Sequence, residues 1–306
     1  MGFHDDVTAA PEDGDIVQSK TIVVGYDGSE PAAVAVRWAA KEAARRKVPL
    51  HLVHCTLWPL LTKNLGPVPG IKDSGLQHAA ENTLQEGVAH ASQAAPEVEV
   101  LTSLLPGSPS VHLARISAGQ EMLVLGSRGL GGFMGLLIGS VSLEMAATAS
   151  CPVAVIKAGG DPDGPVVVAV DDPGSTAALE DACTAAAVAG ARLVIIHVRT
   201  VPAGYRLVRD PIDPGAAAEA LLDSAVAKAQ EMAPGLTVER RLLTDSSVPR
   251  AIVHASQGAR LTVVGTKGHG LITGSIGATA HAVLHHAQGP VLVSRRLPAA
   301  KAAHES

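Results

Sequence analysis

Gly126-Ser127-Arg128-Gly129, followed after nine residues by Gly139-Ser140, is the stretch that decides the fold, and a weaker copy returns at Gly265-Thr266-Lys267-Gly268 and ends at Gly277. Each copy follows an apolar run ending in glycine, Met122 to Gly126 and Leu261 to Gly265, so each predicts a strand feeding a glycine-rich loop and then a helix. That arrangement cradles phosphate. Glycine lets the backbone approach an anion closely, and the N–H groups of the loop and of the next helix point at it without a basic side chain. A lone glycine-rich loop is more often a tight turn. Two such loops, each in a repeat whose first strand ends in Asp (Asp27, Asp171), shift the weight to nucleotide binding.

Working outward, the 306 residues suffice for two domains of ordinary size, and the internal repeat makes that division concrete. With two Trp, two Tyr and two Phe, the core must be aliphatic, which suits buried parallel strands under alanine-rich helices. A net charge of −5 and so few rings to stack bases argue against nucleic-acid binding. Cys55, Cys151 and Cys183 form no CxxC pair and fit a reducing cytoplasm. Met1 to Lys20 is polar and acidic, which is no secretory signal. Gly129 to Leu143 is uncharged but short and broken by glycines, so no membrane span is expected.

The expected order begins with a strand from Thr21 to Tyr26, an amphipathic helix over Ala32 to Arg46 and a strand from Leu50 to Cys55. A Pro/Gly-rich loop from Trp58 to Gly75 leads to a helix over Leu76 to Ala94, a strand Val98 to Leu105 and a helix Val111 to Ala118. The strand into Gly126, the loop, a helix Ser142 to Thr148 and a strand Val153 to Ile156 complete repeat one. Repeat two follows the same course from Val166 to Ser294, after a turn-rich linker at Gly159 to Pro165. The expected organisation is a tail over 1–17, domains over 18–158 and 163–297, and a tail over 298–306. Strands alternating with helices imply an α/β fold, a doubly wound parallel sheet in each half, with ligands outside the carboxyl ends of the strands. The apolar last strands, Val153 to Ile156 and Val291 to Ser294, are hazardous as open edges, so the halves are expected to pair through them as an intrachain pseudo-dimer, with dimerisation of whole chains a further expectation.

Gly25-Tyr26-Asp27-Gly28-Ser29, the strand Leu50 to Cys55, and Leu123 to Gly129 with Gly139-Ser140-Val141-Ser142 resemble the ATP-binding branch of the universal stress proteins in its tandem two-domain form, over about residues 18 to 297. The resemblance implies a Rossmann-like fold that binds ATP, with magnesium accompanying it. It implies Asp27 near the ribose or adenine, the backbone from Val53 to Cys55 around adenine, and Gly126, Gly129, Gly139 and Ser140 around the phosphates. Gly25, Arg128, Val141 and Ser142 complete that first site. Ala169, Asp171, Val198, Gly265, Lys267, Gly268, Gly277, Ala278 and Thr279 form its counterpart in repeat two.

Repeat two departs from the pattern. Asp172 replaces Gly28, and alignment back from Gly289-Pro290 pairs Gly277-Ala278 with Gly139-Ser140, leaving eight loop residues and no hydroxyl; alternatively Ala278-Thr279 keeps the spacing and loses a glycine. A weaker second site is expected either way. Other residues admit plainer roles: Ser29 as helix cap, Asp27 as cap or ligand, Arg128 and Lys267 as solvated cations or phosphate partners, His54 and His197 as backbone-bonded strand-end histidines. His281, His285 and His286 have helical metal-ligand spacing, but their counterparts are Leu143, Ala147 and Thr148, and no metal site is assigned. No nucleophile elbow, Walker motif, kinase signature or dinucleotide fingerprint is present. A nucleotide-dependent regulator in stress or dormancy is thus expected, not a turnover enzyme. A slow ATPase or self-phosphorylating enzyme, and a nucleotide-free scaffold, are the alternatives.

Overall fold

The computed structural model describes residues 20–56, 74–129, 137–171, 176–201, 214–266 and 275–295. The expected tails and most of the Trp58 to Gly75 loop lie outside them. Repeat one runs β1 (Ile22–Gly25), α1 (Glu30–Arg46), β2 (Leu50–Thr56), α2 (Ser74–Ala94), β3 (Val100–Pro106), α3 (Pro109–Ile116), β4 (Met122–Gly126), α4 (Ser140–Thr148) and β5 (Val153–Ile156). Repeat two runs β6 (Val166–Ala169), α5 (Thr176–Ala189), β7 (Leu193–Thr200), α6 (Pro214–Met232), β8 (Val238–Asp245), α7 (Val248–Ala255), β9 (Leu261–Gly265), α8 (Ala278–His286) and β10 (Val291–Ser294). Every expected strand and helix is present, and the differences lie at the ends. The glycine loops carry the largest of these: α4 and α8 each start two residues before the expected Ser142 and Ala280, directly after Gly139 and Gly277, because those glycines are the N-caps.

All ten strands form one sheet, in the order β3-β2-β1-β4-β5-β10-β9-β6-β7-β8. Within each repeat neighbours are parallel, and the repeats meet where β5 and β10 pair antiparallel, Val153 opposite Val293 and Val155 opposite Val291. Those four valines are fully buried. Leaving such side chains in water would forfeit about 1.5–3 kcal/mol each, so the apolar end strands close each other's open edge.

Helices cover both faces. One apolar core, with α1, α2, α5 and α6, and a second, with α3, α4, α7 and α8, each run across both repeats. Helix α1 shows why alanine dominates. Ala32, Ala35, Ala39 and Ala43 are buried against the sheet, and the helix start comes so near β4 that a Cβ on Gly126 would lie 2.7 Å from the Pro31 carbonyl. Its ends are specified locally: the Ser29 hydroxyl accepts from the Ala32 N–H at 3.3 Å, Pro31 occupies the first turn, and Arg45 and Arg46 stand at the negative end of the helix dipole.

Two cations cross the seam. Lys157, directly after β5, donates to the carbonyls of His285 and Ala287 at 3.1 and 2.6 Å, at the C-terminal end of α8. Arg295, directly after β10, donates to the Ala146 carbonyl in α4 at 3.1 Å. Each repeat thus supplies the positive charge that the other's last helix favours at its C-terminus.

Candidate functional site

The ends of β1, β2 and β4 meet the glycine loop at the carboxyl edge of the sheet, and there a cavity of about 620 Å³ opens beneath α3 and α4. Its wall is apolar along Val53, Cys55, Pro109, Leu113, Leu125, Ile138 and Val141. Its polar rim holds Asp27, Arg128, Ser140 and Ser142, with Gly25, Gly126, Gly129 and Gly139 presenting bare backbone. The volume and the mixture of apolar wall with a few polar groups are those of a small-molecule site.

Local chemistry fixes each part. Asp27 Oδ1 accepts from the Ser29 N–H at 3.0 Å, shaping the turn in which Gly28 has φ +85°. Its other oxygen, Oδ2, lies over Gly129, so close that a Cβ on that glycine would collide with it. Asp27 is therefore a turn-former and a rim carboxylate together. The loop closes on itself through Gly139 N–H to the Ser127 carbonyl at 2.8 Å, and it is tied to β5 through Ser127 N–H to the Ile156 carbonyl at 3.0 Å. The Ser142 hydroxyl donates to the Gly126 carbonyl at 2.8 Å, so that hydroxyl holds the loop instead of facing a ligand.

The start of α4 supplies the electrostatics. Its N-cap is Gly139, which has no side chain to accept from the first-turn N–H groups, whereas α1 is capped by Ser29. A helix start left uncapped at a cavity rim is a ready site for an anion. A Cβ at Gly139 would lie 3.6 Å from Arg128 Cα, an ordinary contact, so the protein itself leaves room there. Burial pushes the Cys55 thiol up to about 11, which makes it a neutral wall at ordinary pH. His54 Nδ1 donates to the Tyr26 carbonyl at 2.7 Å, and His197 Nδ1 to the Val170 carbonyl at 2.9 Å; both are the backbone-bonded histidines anticipated above.

Repeat two is built differently. Gly277 N–H bonds to the Thr266 carbonyl at 3.0 Å, and Gly277 caps α8 with φ −67° and ψ 151°, close to the −72° and 152° of Gly139. The structure therefore pairs Gly277-Ala278 with Gly139-Ser140 and puts Thr279 one position into the helix, beside the place of Val141. Lys267 and Gly268 lie outside the described residues. Asp171 and Val198 line a cavity of about 710 Å³, but it lies against α5 and α6, on the other face of the sheet, with Val170, His197, Arg199 and Lys228. Ala169, Gly265, Gly277, Ala278 and Thr279 are not among the described residues of that lining. Among the described residues no group of three His, Cys, Asp or Glu side chains is placed to hold a metal, and no helix is long and apolar enough to cross a membrane.

Sequence reasoning did not single out Tyr26, Pro109, Leu113, Leu125 or Ile138. They are ordinary core types, and only strand order and helix placement bring them to the cavity.

The chain matches the model of the universal stress protein family twice, over residues 18–157 and 164–295. The universal stress protein Rv2005c of Mycobacterium tuberculosis is 34% identical over 298 residues, covering 90% of this chain and 97% of that protein. Rv2624c, of the same organism and family, is 30% identical over 282 residues, covering 90% of this chain and 97% of its own. A universal stress protein from Archaeoglobus fulgidus, 21% identical, has the same fold, with a TM-score of 0.67 over 92% of this chain and 100% of that one. The chain belongs to the universal stress protein family, in a form that carries the family domain twice.

Proposed function

We propose that repeat one binds an adenine nucleotide, ATP with magnesium, in the cavity between Asp27 and the start of α4, and that the protein acts as a nucleotide-dependent regulator in stress or dormancy. The observation that carries this is the uncapped α4 N-terminus facing a cavity of about 620 Å³ that also holds an apolar wall and one carboxylate. The apolar wall suits a purine, Asp27 Oδ2 suits a ribose hydroxyl, and the N–H groups after Gly139 suit phosphate oxygens. Magnesium would take its ligands from phosphate oxygens and water, with the Ser140 hydroxyl at hand. Asp27 is the one carboxylate among the described lining residues, and no histidine joins it, which supports binding over turnover. The free thiols Cys55, Cys151 and Cys183 support a reducing, cytoplasmic setting. Residues 18–158 and 163–297 are taken as the two domain units.

The test is calorimetry and thermal melting with magnesium-ATP, together with mass spectrometry of any small molecule released from the denatured protein. ATP should raise the melting temperature, because a ligand selective for the native state stabilises it. Asp27→Ala should weaken binding by about 1.5–3 kcal/mol, the cost of a lost charge-assisted hydrogen bond. No shift at millimolar ATP would overturn the assignment, and unchanged affinity in Asp27→Ala would reduce that residue to a turn-former.

A further inference from the structure

A second cavity, of about 540 Å³, lies at the seam between the repeats. It is enclosed by the first turn of α1, Ser127 and Arg128 of the phosphate loop, the residues after β5, and the C-terminal end of α8. Arg128 lines this cavity and the nucleotide cavity alike, and no other described residue does.

The unused hydrogen-bonding capacity here is that of donors. Lys157 has three N–H groups, and the carbonyls of His285 and Ala287 take two of them. His285 Nε2 is buried and has no hydrogen-bond partner among the described residues. The Glu30 carboxylate also lines the cavity, but it is paired with Arg37 at 2.7 Å. An oxygen placed between Lys157 and His285 would satisfy both at once, and two charge-assisted bonds would hold it.

We propose that the seam cavity is a binding site for a phosphate-type oxyanion, held by Lys157 of repeat one and His285 of repeat two. The ligand would bridge the repeats at the point where β5 passes beside α8. It also fixes a protonation change. Burial, with the charges of His281, His286 and Lys157, holds the His285 pKa below its ordinary value. Arg128 and Glu30 face the same cavity from the loop and from α1. A bound oxyanion favours the imidazolium, so binding takes up a proton and moves the His285 titration to higher pH.

Inorganic tripolyphosphate, added to the full chain carrying Gly139→Val so that the nucleotide cavity is blocked, is the probe. Calorimetry should still show binding, and NMR of the histidine rings should show His285 titrating at higher pH when the probe is present. His285→Leu, with its melting checked, should weaken binding at least tenfold, and Lys157→Arg should retain it because the charge and donors remain. Loss of binding in Gly139→Val alone would place the anion in the phosphate loop and overturn the proposal. Equal affinity in His285→Leu, or an unmoved His285 titration at saturation, would overturn it as well.

Discussion

Repeat one has Gly25 and Tyr26 where repeat two has Ala169 and Val170, and a neighbour answers each exchange. A Cβ on Gly25 would lie 2.7 Å from Leu125 Cδ2, whereas Ala169 carries that methyl and has the shorter Val264 at the position of Leu125. Tyr26 occupies space that a Cβ on Gly87 would enter, 2.8 Å from its Cδ1. At the matching positions of repeat two stand Val170 and Ala225, the latter placed by the equivalent helix-end bonds Ala95 N–H to Ala91 and Ala233 N–H to Ala229. Repeat one fills the α1/α2 face with a ring and keeps its cavity beneath α3 and α4. In repeat two Val170 and Ala225 line a cavity on the opposite face. One fold thus moves empty volume from one side of its sheet to the other by exchanging paired residues, and only repeat one places that volume at the start of its last helix.

The comparison can be broken most forcefully at Tyr26. Tyr26→Val should destabilise the protein by about 2–4 kcal/mol, the range for emptying a large buried site. Adding Gly87→Ala should recover part of that loss, because the new methyl no longer meets the ring and alanine favours the helix by about 0.5–1 kcal/mol. Denaturant unfolding of the two single variants and the double variant measures the coupling. Simple additivity would show that the pair is not an exchange. A smaller effect is expected at Gly25→Ala, which overpacks against Leu125 and should cost about 1–3 kcal/mol. Leu125→Val in the same chain should relieve most of it, and equal stabilities with and without that second change would contradict the matched-volume explanation.

Much of this was legible in the sequence because some positions tolerate few residue types. Gly126 and Gly129 must lack a Cβ to meet Pro31 and Asp27, and Ser29 must accept from a helix start; such demands leave glycine and small polar residues in readable places. Strand and helix alternation gave the doubly wound sheet, and the apolar β5 and β10 gave the seam. The face on which each cavity lies was not legible, since Tyr26 and Val170 are both plausible core residues. Nor were the contacts of Lys157 and Arg295, which exist only because β5 and β10 pair antiparallel and bring each strand's end to the other repeat's last helix. Ser142 is the instructive intermediate: its position in the motif marks it, but its hydroxyl serves the Gly126 carbonyl.

The smallest effect expected is at Ala278→Ser, which restores the hydroxyl of Ser140 to repeat two but leaves the loop one residue short. It should strengthen a weak site by less than about tenfold, or 1.4 kcal/mol.

The central claim, that the two repeats are unequal nucleotide sites, is tested most directly by titrating the unmodified chain and its Gly139→Val variant with magnesium-ATP in a calorimeter. The unmodified chain should show one tighter and one weaker site, and Gly139→Val should abolish the tighter one alone, since the fold has room for a side chain there and the phosphate does not. Two equivalent sites in the unmodified chain, or a tight phase that survives Gly139→Val, would contradict it.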